Sequence, residues 1–262
     1  MDRDAAGLGR IRRNFLGRER PITMHRFYCP PQNFEDGRAR LDAGETHHLR
    51  DVLRLKAGDR ANVFDGEGSE FAVEIRSVTK HEAVLQVLSK VEPAAPESPL
   101  DLTVAAAVTP AEKFDLAVEK AVELGVRRLI PLITDRTEVK ASVAARRLER
   151  WRRIAFEAAK QCGRAVLMGV EEPIEFGSVF DRNREGHVIL FSERGGSRIE
   201  DIPPGVPLTL IYGPKGGWSD TELEFAEKRK AAVVTLGGRI LRAETAAIAL
   251  TAIIQHRFGD MN

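Results

Sequence analysis

The chain has 262 residues, 43% of them hydrophobic, which is enough to bury one large core or two smaller ones and excludes intrinsic disorder and a fibrous class. Lys and Arg number 40 against 39 Asp and Glu, a net charge of +1, so affinity for nucleic acid has to come from local clusters rather than global charge. Two cysteines, Cys29 and Cys162, exclude a disulfide framework and any cysteine-based metal site and fit a reducing cytoplasm, and no run approaches the roughly 18 apolar residues of a membrane span.

Residues 1–23 are Arg-rich and offer no apolar face long enough to dock as a helix, so they read as a disordered extension with the first domain beginning at Met24. From Met24 to Val91, short alternating runs at Arg26 to Cys29, Arg60 to Asp65, Glu70 to Ser77 and Ala83 to Leu88 read as strands of a small β-barrel, with turns at Ala57-Gly58-Asp59 and across Asp65 to Gly68. Residues 92–99 hold three prolines in eight positions, the composition of an extended linker. From 100 to 262, apolar runs alternate with amphipathic stretches, the pattern of an α/β domain with a mostly parallel sheet. Its strands are predicted at Leu102 to Val108, Leu129 to Ile133, Val188 to Phe191, Leu208 to Tyr212 and Ala232 to Leu236. Glu112 to Leu124 places Phe114, Ala117, Val118, Ala121 and Leu124 on one helical face, with Gly125 as C-cap. Ser219 and Glu222 form a capping box, and Glu244 to Phe258 reads as a deeply buried helix.

Two glycine clusters carry the chemical signal. Gly213, Pro214, Lys215, Gly216 and Gly217 lie between a strand and the helix capped by Ser219, where open α/β sheets bind ligands. Glycines there let backbone approach a ligand closely, although such a cluster on its own is more often a tight strand-to-helix turn. Leu236 to Thr245 repeats the arrangement after the next strand, with Arg239 and Arg242 interrupted by Ile240 and Leu241. That spacing sets charge against an apolar pocket wall, and taken alone it equally fits two surface arginines. Arg146, Arg147, Arg150, Arg152 and Arg153 cluster around Trp151 on a predicted helix, as an RNA-binding face or a solvated one.

The sequence resembles the ribosomal RNA uracil-N(3)-methyltransferases of the SPOUT class. The likeness runs through HRFY at His25 to Tyr28, HHLRDVLRLKAGD at His47 to Asp59, VFDG at Val63 to Gly66, and EKAVELGVRRLIPLITDRTEVK at Glu119 to Lys140. It continues in KQCGR at Lys160 to Arg164, GPKGG at Gly213 to Gly217, LGGRILRAET at Leu236 to Thr245 and RFGD at Arg257 to Asp260. The resemblance implies a PUA-like RNA-binding barrel over 24–91, a SPOUT methyltransferase domain over 100–262 with a C-terminal trefoil knot, S-adenosylmethionine as cofactor, small-subunit ribosomal RNA within a 30S particle as partner, and a homodimer. It also implies a cofactor held by three loops, with Phe191, Ser192, Ile211, Gly213, Pro214, Gly216, Gly217, Leu236, Gly237, Ile240, Leu241 and Thr245 as its candidate contacts. Candidate RNA contacts are His25, Arg26, His48, Arg50, Arg54, Arg150, Arg153 and Arg164. The catalytic candidates are Arg239 or Arg242, whose guanidinium would favour the uracilate anion, and Glu244 as an orienting ion-pair partner, a base or a structural carboxylate. Two departures stand out: Lys215 and Lys160 replace residues that are usually acidic in the family. The alternatives left open are methylation of another base or of a ribose 2′-hydroxyl, and an inactive RNA-binding or assembly protein.

Overall fold

The computed structural model describes residues 12–13, 19–20, 24–110, 112–182, 186–198, 207–235 and 238–261. The chain divides into two compact units between Pro93 and Ala94. The expectation for residues 1–23 falls largely outside the described residues; within that stretch, β1 (Arg12–Arg13) pairs antiparallel with β2 (Glu19–Arg20).

The first unit contains β3 (Arg26–Tyr28), β4 (Phe34–Glu35), β5 (Arg38–Leu41), the short helix α1 (Ala43–His47), β6 (Arg60–Phe64), β7 (Glu70–Val78) and β8 (Ala83–Val91). The sheet order is β3-β6-β7-β8-β5-β4, antiparallel except for the parallel β3–β6 pair. Alternation sends Phe27, Leu41, Val63, Val73, Ile75 and Leu85 to one core, and Leu49 joins them from a π-helical turn over His48–Val52. The β4–β5 hairpin is a structural addition to the sequence reading. Its turn is Asp36-Gly37, both at positive φ (50° and 70°), the pairing that a tight two-residue hairpin requires.

The second unit is a three-layer α/β sandwich. In chain order it comprises β9 (Leu102–Ala107), α2 (Glu112–Glu123), β10 (Arg128–Ile133), α3 (Ala141–Cys162), β11 (Gly169–Val170), β12 (Ile174–Glu175), α4 (Ser178–Arg182) and β13 (His187–Phe191). β14 (Leu208–Tyr212), α5 (Asp220–Lys228), β15 (Ala232–Val234) and α6 (Ala243–Phe258) complete it. The all-parallel sheet runs β11-β10-β9-β14-β13-β15, with β12 also on β10. Its strands are near-continuous apolar runs because helices cover both faces. Leu102, Val104, Ile189, Phe191, Leu210 and Tyr212 pack under α2, α3 and α6. Ala105, Leu190 and Ile211 point the other way, toward α4 and α5.

Side-chain hydrogen bonds tether the segment that precedes β9. Arg164, buried in this unit, grips Glu97 with Nη2 at 2.8 Å from Oε2 and donates Nη1 to the carbonyls of Val122 and Val126 at 2.9 Å each. Ser98 Oγ donates to Gln255 Oε1 of α6 at 2.8 Å, and Gln255 Nε2 donates to Leu124 O at 2.7 Å. One expectation needs correction: α6 is not buried all round. Ala247, Leu250 and Ile254 face the core, but Ile253 is 43% exposed, because no element among the described residues covers that side.

Candidate active site

A cavity of about 790 Å³ opens at the C-terminal ends of β13, β14 and β15, between the glycine loop after β14 and the start of α6. Parallel sheets leave backbone groups and loop ends free at this edge, which is why ligands collect there. Phe191 and Tyr212, the last residues of neighbouring strands, stack with ring centroids 5.2 Å apart and planes within 5°. Tyr212 Oη meets Thr251 Oγ1 at 2.9 Å, tying β14 to α6, and burial pushes the Tyr212 phenol upward.

The loop from Gly213 to Gly217 is shaped around Trp218. That indole is fully buried, with Nε1 donating to Phe191 O at 2.8 Å. A Cβ on Gly213 would sit 2.9 Å from the indole, so only glycine fits. Gly217 closes the turn at φ 69°, its N–H donating to Pro214 O at 3.0 Å. The capping box follows as expected: Glu222 N donates to Ser219 Oγ at 3.2 Å and Ser219 N to Glu222 Oε2 at 2.9 Å. Lys215 borders the cavity but is 72% exposed, with its ammonium 3.7 Å from Glu138.

On the opposite wall, Arg239, Ile240, Leu241 and Arg242 form an exposed rim, with Ile240 85% exposed. Neither guanidinium has a hydrogen-bond or ion-pair partner among the described residues. Glu244 is half-buried and pairs with Lys113 of α2 at 3.5 Å rather than with either rim arginine. Lys113, Thr109 and Pro110 line the cavity from the end of β9 and the start of α2, and the sequence reading passed over all three. The signal was present, since Thr109-Pro110 directly follows a strand in the same way as the glycine loops.

Of the expected cofactor contacts, Phe191, Ser192, Gly213, Pro214, Gly216, Gly217, Ile240 and Leu241 line this cavity. Leu236 and Gly237 lie outside the described residues. Ile211 does not line it, because strand alternation turns its side chain into the core under α4 and α5; Thr245 is exposed beside it.

The RNA candidates separate by what already holds them. Arg164 is 3% exposed and bound to Glu97 and two carbonyls, so it braces the second unit and is not presented to RNA. Arg26 is likewise structural: Nε donates to the buried Glu70 at 2.8 Å and the guanidinium lies 4.1 Å over Phe64. Arg150 clasps Asp115 at 2.7 Å, and Trp151 is fully buried, so the helical cluster lacks an exposed ring on which a base could stack. Arg153 borders a groove of mixed charge with Glu119, Lys120, Glu123 and Glu157, in which Lys120 pairs with Glu119 and Glu123. Lys160 is on α3 beside the Phe156 ring and does not line the cavity. His25 and Arg54 remain exposed, and Arg54 adopts φ 58°. His48 is half-buried beside Phe27, and Arg50 donates to Asp51 and to Thr79 O.

Residues 96–255 match a family described as RNA methyltransferase domain, and residues 41–88 match the RNA methyltransferase PUA domain. The chain belongs to the RNA methyltransferase family. It is 32% identical to a Synechocystis protein named ribosomal RNA small subunit methyltransferase E, over 88% of this chain and 78% of that one. A Rickettsia conorii protein of the same name is 31% identical, over 90% and 96%. The crystal structure of the Neisseria gonorrhoeae protein of that name, bound to S-adenosylmethionine, superposes with a TM-score of 0.82 at 33% identity, covering 91% of this chain and all of that one.

Proposed function

We propose that this chain transfers a methyl group from S-adenosylmethionine to ring nitrogen 3 of a uridine in small-subunit ribosomal RNA. The observation that carries the reading is the glycine-lined cavity at the strand ends with two unpaired arginines on its rim. The cavity suits the cofactor in size and chemistry: its volume falls within the usual ligand range, Phe191, Tyr212 and Leu250 offer apolar surface to a purine, and Ser192, Glu193 and loop backbone offer polar partners. Bound there, S-adenosylmethionine supplies an electrophilic methyl on a sulfonium.

The remaining chemistry belongs to this chain. The uracil imide nitrogen is protonated at neutral pH and has to lose that proton to become a nucleophile. Arg239 or Arg242 near the uracil carbonyls favours the anion, as an opposite charge lowers any acid's pKa. Glu244, held by Lys113, keeps the start of α6 beside α2 and is read as a structural carboxylate. RNA docking is assigned to His25, His48, Arg50 and Arg54 of the first unit, whose PUA match supports it.

The trefoil knot is part of the same reading. After β15 at the sheet edge, α6 packs against α2 and β14, a return toward the middle of the sheet that supports a knotted C-terminus. A homodimer within the cytoplasm, acting on 30S particles, completes the proposal. No helix among the described residues is long and apolar enough to cross a membrane.

The test incubates the purified chain with S-adenosylmethionine and 30S particles from a strain lacking the gene, then maps the modified nucleoside by mass spectrometry. 3-Methyluridine is the expected product. A ribose-methylated nucleoside, or cofactor binding without turnover, overturns the assignment.

A further inference from the structure

The segment after β10, Thr134 to Lys140, touches the glycine loop and its following helix at several points, and neither the cavity nor the RNA surface accounts for it. Its own turn is locked by Thr137, whose Oγ1 accepts Thr134 N at 3.0 Å and bonds Thr134 Oγ1 at 2.8 Å. Asp135 N donates to Glu222 Oε1 at 3.0 Å, and Ser219 Oγ donates to Asp135 Oδ2 at 2.6 Å. Arg136 Nη1 donates to Gly216 O at 2.9 Å, and the arginine stem lies across the face of Gly216, where an added Cβ would be 3.3 Å from Arg136 Cβ.

The peptide joining Gly216 to Gly217 is therefore held at both ends, its carbonyl by Arg136 and its N–H by Pro214 O. In a glycine pair such a peptide has little intrinsic preference against flipping, because neither residue has a Cβ to bias φ and ψ. A flip would turn the Gly216 carbonyl dipole and change the surface that lines the cavity. We propose that Arg136 is a positioning residue for the methyl donor, fixing the Gly216–Gly217 peptide from outside so that the loop is preorganised when the donor arrives. This rests on the reading that the cavity takes S-adenosylmethionine. The exposed Lys215–Glu138 pair adds little, since solvated pairs contribute weakly.

Calorimetry with S-adenosylhomocysteine on the full chain tests the proposal with Arg136→Met, which keeps the stem without the donor, and Arg136→Lys, which keeps a charged donor. Arg136→Met is expected to bind about tenfold more weakly, the scale of a hydrogen bond from a charged group, with Arg136→Lys in between. The KM for S-adenosylmethionine should rise while kcat, melting temperature and RNA affinity hold. Wild-type affinity in Arg136→Met overturns the proposal and leaves the cavity assignment standing. Melting temperature, cofactor affinity and RNA affinity all falling together in both variants would also overturn it, making Arg136 a packing residue. No binding by the wild type removes the cavity assignment and this proposal with it.

Discussion

A guanidinium can stabilise a developing anion only where no carboxylate has already neutralised it. Arg239 and Arg242 meet that condition among the described residues, whereas Arg26, Arg150 and Arg164 are held by Glu70, Asp115 and Glu97. Alanine at the critical rim position is expected to leave cofactor affinity unchanged and to lower the single-turnover rate by about two to four powers of ten. Raising the pH should restore part of the rate, because hydroxide then produces the uracil anion that the missing charge no longer favours. Lysine should rescue in part, keeping the charge without the planar two-pronged donor. Normal chemistry with weak RNA binding in both alanine variants would reassign the pair to docking. A second expectation at this scale concerns Cys29. Burial pushes its thiol up to about 11, and its sulfur has no solvent-exposed surface, so it stays protonated and shielded at neutral pH. Titration with a thiol reagent at pH 8 should leave Cys29 unmodified in the native protein and label it once urea unfolds the first unit. Rapid native labelling at Cys29 would contradict the packing.

At the scale of elements, the second unit was legible because its strands are uninterrupted apolar runs, and a strand buried on both faces leaves that mark in sequence. The capping box at Ser219 and the C-cap at Gly125, with φ 74°, were legible for a similar reason, as each depends on residues a few positions apart. The β4–β5 hairpin escaped because its strands have two and four residues and the longer one places Arg38 and Arg40 outward. Only Asp36-Gly37 marked it. Arg164 was misread for another reason: nothing local to an arginine reveals that residues 67 positions upstream will supply its carboxylate. Arg164→Met leaves Glu97 without its cation and takes one donor from each of the Val122 and Val126 carbonyls. Urea unfolding should show a loss of about 3 kcal/mol, the lower end for one partner removed from a buried pair. The RNA affinity of the folded fraction should match wild type, and weakened RNA binding at unchanged stability would return Arg164 to the docking surface.

For the whole molecule, the outward side of α6 raises the question of what covers it. Ile253 on α6 and Leu116 on α2 are 43% and 39% exposed on two helices that pack together, and Leu241 at the cavity rim is 40% exposed. Scattered apolar side chains are ordinary on a surface, but one on each helix of a packed pair, with a third on the rim of the adjoining cavity, suits a second copy of the chain. Such a contact would also bring part of the partner near the rim, so association and cofactor affinity should be linked. If α2 and α6 form the homodimer contact proposed above, Leu116→Glu combined with Ile253→Glu puts like charges into it, and analytical ultracentrifugation is expected to show a dimer for the wild type and a monomer for the double variant at the same concentration. Neither position is buried, so the folded monomer should keep nearly the wild-type melting temperature in the absence of partner contacts. If the rim is completed by the second copy, the monomer should bind S-adenosylhomocysteine more weakly, and the wild type should lose affinity on dilution below its dimer dissociation constant. A double variant that stays dimeric would place the interface elsewhere. One that is monomeric with full cofactor affinity would show that each copy builds its cavity alone.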